Sequence, residues 1–257
     1  MTFPLEQLTA CLRSFPSLLL AYSGGVDSSL LLEVLRTEAD IPFRAVFIDH
    51  PGLLDGERQA ALSVIQAVGG LVETLSLQEM EKVWSGRQSE RCYYCKHLFF
   101  SRLLRLADDL QLAVVCDGTH AQDDPARRPG MKALEELGIM SPLRLTGWTK
   151  EMIRHQARIM GLSCWDRPAR ACLAVAVKGP VTGNLLQHLT LLETFTSHAL
   201  AIPVRFCIDD QQLILRAMDH HHQQVRRLVA GDEFQALIRS MGFMQVVIES
   251  LTGGARR

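Results

Sequence analysis

The chain has 257 residues, of which 47% are apolar and 21% charged, as in ordinary globular proteins rather than disordered ones. Its 27 basic and 28 acidic residues give a net charge of −1, which excludes the strongly basic surface of a general nucleic-acid binder. No apolar run approaches the roughly 20 residues of a membrane span, and the opening MTFPLEQL lacks a secretory pattern. We therefore predict a cytoplasmic protein with no nucleic-acid or membrane partner. Self-association as a homo-oligomer is a separate expectation.

Strand and helix patterns alternate along the first two thirds of the chain. Short apolar runs predict strands, and apolar residues at helical spacing predict helices. The predicted elements are strand 17–22, helix 28–38, strand 43–48, helix 55–68, strand 71–75, helix 92–108, strand 112–116 and helix 150–160. This alternation predicts an α/β fold with a parallel sheet, helices on both faces and ligands beyond the carboxyl ends of the strands.

Residues 163–184 interrupt this alternation, since they are rich in proline and glycine and have few periodic apolar positions. We predict a long functional loop here. The elements predicted after it are helix 185–200, strands 204–207 and 213–216, helix 233–241 and strand 244–248. The sequence therefore predicts two domains, residues 1–184 and a small α+β domain of residues 185–257.

The segment SGGVDSS, residues 23–29, follows the first predicted strand and opens the first helix. Gly24 and Gly25 allow a sharp turn and close approach of a ligand, and a helix N-terminus attracts anions. The hydroxyl groups of Ser23 and Ser28 can donate to phosphate oxygens, whereas Asp27 suits this place if Mg²⁺ bridges it to the phosphates. The lysine of a Walker loop is absent. The alternative is a simple glycine turn with a serine cap.

This strand, SGGVDSS loop and helix resemble those of the PP-loop ATP pyrophosphatases. The resemblance implies that ATP is cleaved to AMP and pyrophosphate and that the substrate becomes adenylated. It also implies that the end of the second strand approaches the adenine. The nucleotide-binding residues are then Ser23, Gly24, Gly25, Val26, Asp27, Ser28, Ile48, Asp49 and Gly118.

A longer series of motifs resembles the LarE-type sulfur transferases, which make the nickel-pincer nucleotide cofactor. The series is RCYYCKHLFF at 91–100, DGTH at 117–120, RPG at 128–130, TKEMIR at 149–154, WDRPA at 165–169 and CLA at 172–174. The resemblance implies that a carboxylate of a pyridinium biscarboxylic acid mononucleotide attacks ATP, and that sulfur then displaces AMP to give a thiocarboxylate. It implies a small carboxylated nucleotide as acceptor, an unidentified sulfur donor, and the substrate-binding residues Arg128, Lys150, Glu193 and Arg205.

Two sulfur sources are known in this family, and the chain carries residues for both. In one, the cysteine at the Cys172 position gives up its own sulfur and becomes dehydroalanine. In the other, three cysteines hold a [4Fe–4S] cluster with one open iron, and Cys92, Cys95 and Cys172 match that pattern. A zinc site with His97, a redox dithiol and incidental thiols remain alternatives for the CxxC pair.

The chain departs from the family pattern where the acceptor would be held. Residues 175–180 read VAVKGP where the family has an arginine, so that Lys178 is the nearby cation. Of the family's Arg-x-Arg pair only Arg205 remains, because Cys207 occupies the second position. A bidentate arginine is hard to replace. The acceptor therefore stays open, as do a tRNA thiolase, an amidotransferase and a nucleotide or metal sensor that does not turn over.

Overall fold

The computed structural model describes residues 4–85, 88–168 and 170–251, so that Ala169 of the WDRPA motif lies outside the described residues. Contacts divide the chain into two compact units. The first unit is made of Met1–His50, Asp55–Ser76 and Ser89–Ala169, and the second of Pro51–Leu54, Leu77–Gln88 and Arg170–Arg257. The domain boundary after residue 184 stays a prediction; by contacts, residues 170–184 group with the second unit.

Helices and strands alternate as the sequence predicts, and we number both in chain order. The strands are β1 (Leu18–Tyr22), β2 (Phe43–Asp49), β3 (Leu71–Thr74), β4 (Val114–Cys116), β5 (Arg205–Asp209), β6 (Gln212–Ala217) and β7 (Val246–Ser250). The α-helices are α1 (Pro4–Arg13), α2 (Val26–Val34), α3 (Asp55–Ala67), α4 (Leu77–Trp84), α5 (Arg91–Asp109), α6 (Gly130–Glu136), α7 (Pro142–Leu145), α8 (Lys150–Ile159), α9 (Gly183–Leu200), α10 (His222–Val229) and α11 (Asp232–Ser240).

The first unit is built on a four-stranded sheet in the order β3-β2-β1-β4, with all neighbours parallel. Helices flank this sheet, which confirms the predicted α/β class. Because β1 lies between β2 and β4, the chain leaves β1 toward one edge of the sheet and later returns to its other side. The carboxyl ends of β1 and β4 therefore flank a topological switch point, where ligands bind in open α/β sheets.

A core cluster joins the sheet to α5 in the first unit. Leu19, Val46 and Val115 come from three neighbouring strands, and Phe100 and Leu103 come from α5; each is at most 2% exposed. Burial of a side chain of this size contributes about 1.5–3 kcal/mol. The cluster therefore fixes α5, which carries the CxxC pair in its first turn and a half.

The second unit contains the three-stranded sheet β5-β6-β7, in which β5 and β6 are antiparallel and β6 and β7 parallel. This confirms the small C-terminal α+β element of the predicted fold. Burial alternates along β5, with Phe206 and Ile208 buried and the residues between them partly exposed. Phe206 stacks on Phe234 of α11, with ring centroids 6.4 Å apart. One face of the sheet is therefore apolar core, and the other carries charged side chains.

Several helices were not predicted. In α4, Leu77, Met80 and Trp84 follow helical spacing, and Trp84 is fully buried, but the helix has only eight residues. A pattern this short gives a weak periodic signal. The helices α6, α7 and α10, with at most eight residues each, were missed for the same reason, and α1 was not predicted either. Among the described residues, no helix has both the length and the apolar character needed to cross a bilayer.

Candidate active site

The SGGVDSS loop connects the carboxyl end of β1 to the first turn of α2, as predicted. Gly24 has φ +76°, and a Cβ there would lie 2.9 Å from the Cβ of Ala61, so that only glycine suits the position. The Ser28 hydroxyl accepts from the Ser23 backbone N–H at 3.1 Å and lies 3.0 Å from the Ser23 hydroxyl. Both serines therefore shape the loop, at the positive end of the α2 dipole.

The loop after β4 packs closely against the start of α2. A Cβ on Gly118 would lie 3.0 Å from the backbone nitrogen of Ser28 and 3.2 Å from the Cβ of Asp27. The buried Asp117 carboxylate fixes the loop, since it accepts from the Thr119 hydroxyl at 2.5 Å and from the Ser141 hydroxyl at 2.6 Å. The loops of β1 and β4 thus meet at the switch point, where the sequence places the nucleotide.

Asp27 and Lys150, two predicted site residues 123 positions apart, form an ion pair at the loop. The Lys150 Nζ atom lies 2.6 Å from one oxygen of the Asp27 carboxylate and 2.7 Å from the other. Lys150 is the first residue of α8, and Thr149 caps this helix by accepting from the Met152 N–H at 3.3 Å. The Lys150 N–H donates to the Gln122 side chain at 2.7 Å, which ties α8 to the β4 loop.

Arg128 is held by a buried carboxylate next to the same loop. Asp123 accepts from the Arg128 guanidinium at 2.8 Å and from the His120 backbone N–H at 3.0 Å. The Nε2 atom of His120 lies 3.4 Å from Asp123, and its Nδ1 accepts from the Gln122 N–H at 3.3 Å. Burial lowers the pKa of His120, although Asp123 and Asp27 raise it. The Arg128 side chain stays 58% exposed, so it is anchored and still accessible to an anion.

The end of β2, predicted to approach the adenine, is ordered by charged and aromatic contacts. Arg58 of α3 binds both oxygens of the buried Asp49 carboxylate, at 2.7 and 2.5 Å, and this hydrogen bonding raises the pKa of Arg58. Ile48 packs against the core cluster. His50 lies beside Phe99, with ring centroids 5.1 Å apart, and burial lowers its pKa to about 4.

The CxxC pair lies near the start of α5. Cys92 and Cys95 are half-buried and one helical turn apart, which places them on the same face of the helix. Gly130 of the RPG motif permits close packing here, because a Cβ on it would lie 2.8 Å from Lys96 Cγ and 3.1 Å from the Cys92 carbonyl oxygen. The Lys96 ammonium lies 5.0 Å from the centre of the Phe100 ring.

Cys172 belongs to the second unit, where it precedes a short 3₁₀ turn and is half-buried. The Arg205 guanidinium donates to the carbonyl oxygens of Ala171 and, at 3.0 Å, of Cys172. The Leu173 N–H donates to the Gly52 carbonyl at 2.8 Å. Within the described residues, no three His, Cys, Asp or Glu side chains are arranged as ligands of a metal ion. The described residues therefore do not support the predicted [4Fe–4S] cluster or a zinc site at the CxxC pair.

Glu193, predicted as a substrate-binding residue, is a buried acceptor in the second unit. Its carboxylate accepts from the Phe206 backbone N–H at 3.0 Å and forms ion pairs with Arg170 and Arg205. Its side chain is only 3% exposed, and that of Arg205 is 14% exposed. Glu193 thus orients the guanidinium that holds the backbone at Cys172. The sequence did not point to Arg170. It pairs with Glu193 from a loop, and no sequence motif links this loop to α9.

Arg216 is a second residue that sequence reasoning missed. It lies opposite Arg205 in the β5–β6 register, and its guanidinium donates to the Cys207 sulfur at 3.6 Å and pairs with Glu249 at 3.0 Å. Burial raises the pKa of the Cys207 thiol. A register assigned to the predicted strands 204–207 and 213–216 would have placed Arg216 opposite Arg205, near the position of the missing arginine. Lys178 forms an ion pair with Asp209.

Comparison with known proteins gives relatives over nearly the whole chain, although no family model matches it. It is 29% identical to the pyridinium-3,5-bisthiocarboxylic acid mononucleotide synthase of Lactiplantibacillus plantarum, over 97% of this chain and 90% of the relative. It is 28% identical to an uncharacterized protein of Synechocystis, over 95% of this chain and 92% of that protein. A Methanocaldococcus jannaschii protein, also uncharacterized, is 33% identical over 49% of this chain and 47% of its own length. The similarity over nearly the full length confirms the resemblance of this chain to the LarE-type sulfur transferases of the PP-loop superfamily.

Proposed function

We propose that this protein is an ATP-dependent sulfurtransferase of cofactor biosynthesis, which converts a carboxylate of a small nucleotide into a thiocarboxylate. The observation that carries the proposal is the SGGVDSS loop at the carboxyl end of β1, closed by the Gly118 loop from β4. The similarity to a synthase of a bisthiocarboxylic acid mononucleotide supports the choice of substrate class. A cytoplasmic location and self-association stay proposals made from the sequence.

The residues of the loop fit a nucleoside triphosphate. The tight contacts of Gly24 and Gly118 bring backbone N–H groups to the start of α2 without side chains in the way. The Ser23 and Ser28 hydroxyls and the helix dipole favour the β- and γ-phosphates there. Asp27 would coordinate a Mg²⁺ ion shared with these phosphates. Val26, Ile48 and Asp49 complete the proposed nucleotide site on the adenosine side.

In the first step, an acceptor carboxylate oxygen attacks the α-phosphorus of ATP, and pyrophosphate leaves with the bonding electron pair. The product is an acyl adenylate. A carboxylate is a poor electrophile, and the adenylate gives its carbon a good leaving group. Arg128, anchored by Asp123 and still exposed, neutralises charge that develops on the leaving pyrophosphate. Lys150 acts on the same phosphates, beside the first turn of α2.

In the second step, a sulfur nucleophile attacks the acyl carbon, and AMP leaves with the electron pair of the carbon–oxygen bond. We propose that Arg205, oriented by Glu193, positions Cys172 and meets the anionic group of the acceptor. Cys172 takes part in either sulfur source that the sequence allows. As donor, the Cys172 thiolate forms a thioester with the acyl group; loss of its Cα proton to a base then breaks the Cβ–S bond, which releases the thiocarboxylate and leaves dehydroalanine. Alternatively, Cys92, Cys95 and Cys172 would hold a [4Fe–4S] cluster, which would supply sulfur taken from an external donor.

The test is product analysis under anaerobic conditions, with Mg²⁺, ATP and pyridinium-3,5-biscarboxylic acid mononucleotide. We expect AMP, pyrophosphate and a thiocarboxylate from the wild-type protein after reconstitution with iron and sulfide. Asp27→Asn should abolish pyrophosphate release, whereas Cys172→Ala should release pyrophosphate without forming thiocarboxylate. ADP and phosphate as products, or ATP binding without turnover, would contradict the proposed reaction, and the latter would favour a sensor.

The cysteine variants separate the two sulfur sources. If a cluster delivers sulfur, Cys92→Ala and Cys95→Ala lose the broad brown absorbance after reconstitution and lose thiocarboxylate formation together. If Cys172 is sacrificed, both variants keep one turnover, and mass spectrometry finds dehydroalanine at position 172. Cys11→Ala is the matched control, since this half-buried thiol lies in α1, outside every proposed site. Zinc found in place of iron after anaerobic purification would favour a structural metal instead.

A further inference from the structure

The ion pair between Asp27 and Lys150 occupies both oxygens of the carboxylate that the proposed function assigns to Mg²⁺. The two distances, 2.6 and 2.7 Å, are those of charge-assisted hydrogen bonds. The side chains are 23% and 25% exposed, so solvent reaches the pair only partly. A divalent cation prefers these same carboxylate oxygens. It therefore has to compete with an ammonium group that is already in place.

The backbone of Lys150 is fixed by contacts that do not involve its ammonium group. Its N–H is bound by the Gln122 side chain, and the Thr149 cap holds the first turn of α8. The four-carbon stem of a lysine carries a compact charge that can rotate between partners. The ammonium group can therefore leave Asp27 without any movement of α8.

Two helix N-termini meet at this pair, because Asp27 lies in the first turn of α2 and Lys150 begins α8. Both positive dipole ends favour an anion at this place. In this structure, the negative charge at the two helix N-termini is the Asp27 carboxylate. The triphosphate of ATP carries more charge than one carboxylate and would draw the ammonium group toward itself.

We propose that the Asp27–Lys150 pair is a closed metal site that the nucleotide opens. The proposal rests on the proposed function, since it requires that the SGGVDSS loop binds ATP. When the triphosphate enters, Lys150 transfers from Asp27 to a phosphate oxygen, and the released carboxylate takes the divalent cation. The metal therefore enters with the nucleotide and does not precede it, and the loop without nucleotide binds neither Mg²⁺ nor Mn²⁺ tightly.

The experiment measures Mn²⁺ binding by electron paramagnetic resonance and ATP binding by calorimetry, on the full chain. The variant is Lys150→Met. Lys132→Met is the matched control, because Lys132 lies in the same unit and its side chain is 72% exposed. Without nucleotide, Lys150→Met should bind Mn²⁺ roughly tenfold tighter than the wild type, since one charge-assisted contact no longer competes. Its ATP affinity should fall roughly tenfold, and Lys132→Met should match the wild type in both measurements.

The double variant Asp27→Asn/Lys150→Met should lose the gain in Mn²⁺ affinity, which identifies Asp27 as the ligand. If Lys150→Met fails to fold, Lys150→Gln and the wild type titrated with Mn²⁺ before and after ATP give the same comparison. Two results would contradict the proposed transfer of Lys150 without contradicting ATP binding. One is tight Mn²⁺ binding to the wild type before nucleotide is added, and the other is an unchanged Mn²⁺ affinity in Lys150→Met. Failure of the wild type to bind ATP at any metal concentration overturns the proposed function itself.

Discussion

The SGGVDSS loop of the first unit and the Glu193 cluster of the second unit, which consists of Glu193, Arg170, Arg205 and Phe206, are built on different principles. The loop is mainly backbone, since glycine conformations, a helix N-terminus and two serine hydroxyls give it its shape. The Glu193 cluster is made of side-chain pairs, in which one buried carboxylate holds Arg170, Arg205 and the Phe206 N–H. A backbone site is encoded in a short contiguous motif, whereas a network of pairs depends on residues that the fold brings together.

The largest expected effect is the loss of stability caused by Glu193→Ala. Glu193→Ala leaves the guanidinium of Arg205 and the N–H of Phe206 without this acceptor, in a place where the carboxylate is 3% exposed. Loss of one partner from a buried ion pair costs about 3–5 kcal/mol of the free energy of unfolding. Urea denaturation followed by circular dichroism measures it. Glu249→Ala, which removes a 42% exposed carboxylate, should cost less than about 1 kcal/mol. Equal losses in the two variants would show that the cluster does not hold the second unit together.

The next largest effect is a loss of stability at low pH that His50 causes. His50 directly follows β2, and burial lowers its folded-state pKa from 6.5 to about 4. The unfolded chain binds the proton more tightly, so stability is complete above pH 6.5 and falls as the pH drops toward 4. The shift corresponds to a loss of about 3 kcal/mol by the bottom of that range. Asp49 and Lys96 act on this imidazole with opposite signs.

The measurement is urea denaturation of the wild type and His50→Asn across this pH range. The substitution should flatten the decline that belongs to His50, because asparagine does not titrate. His120 and His188, whose pKa values are also lowered by burial, keep their own contributions in both proteins. An identical pH dependence in both proteins would show that His50 is accessible to protons in the folded state.

A smaller effect is expected when the hydroxyl groups of Ser23 and Ser28 in the SGGVDSS loop are removed. Ser23→Ala/Ser28→Ala should lower ATP affinity roughly 10- to 100-fold, because hydrogen bonds to a charged phosphate are lost. Calorimetric titration with ATP and Mg²⁺ measures this loss. Ser14→Ala removes an exposed hydroxyl that donates to the Cys11 carbonyl, and it should leave ATP affinity unchanged. An unchanged affinity in the double variant would remove the loop from the nucleotide site.

The smallest effect comes from one added methyl group. Gly118→Ala places its Cβ 3.0 Å from the Ser28 nitrogen, and because this neighbour is backbone the loops must separate slightly. We expect a loss of about 1 kcal/mol in stability and a few-fold loss in ATP affinity. Gly56→Ala, in α3 with open space around the new Cβ, should gain about 0.5–1 kcal/mol. Thermal melting and ATP titration compare the Gly118→Ala and Gly56→Ala variants. Equal stability and equal ATP affinity in both would show that a Cβ at position 118 fits beside the Ser28 nitrogen without separating the loops.

The sequence predicted the order and type of the main strands and helices well, because long apolar periodic segments determine them. It also predicted that SGGVDSS would follow a strand and open a helix, since local conformation determines this loop. It did not predict that Lys150 would bind Asp27, because 123 positions separate them and only the packing of α8 near α2 brings them together. Arg216 and Arg170 were missed for a related reason: each takes its place through strand register or a loop, neither of which leaves a motif.

The central claim is that ATP adenylates a carboxylate of the acceptor, and the transfer of carboxylate oxygen to AMP tests it most directly. The acceptor mononucleotide is prepared with ¹⁸O in its carboxylates and incubated anaerobically with the wild-type protein, Mg²⁺ and ATP, and the AMP is analysed by mass spectrometry. If the carboxylate attacks the α-phosphorus and sulfur then breaks the acyl carbon–oxygen bond, the AMP phosphate carries one ¹⁸O and pyrophosphate carries none. Unlabelled AMP would mean that water cleaves ATP, and ADP with phosphate would mean cleavage at the γ-phosphorus; either result contradicts adenylation of the acceptor.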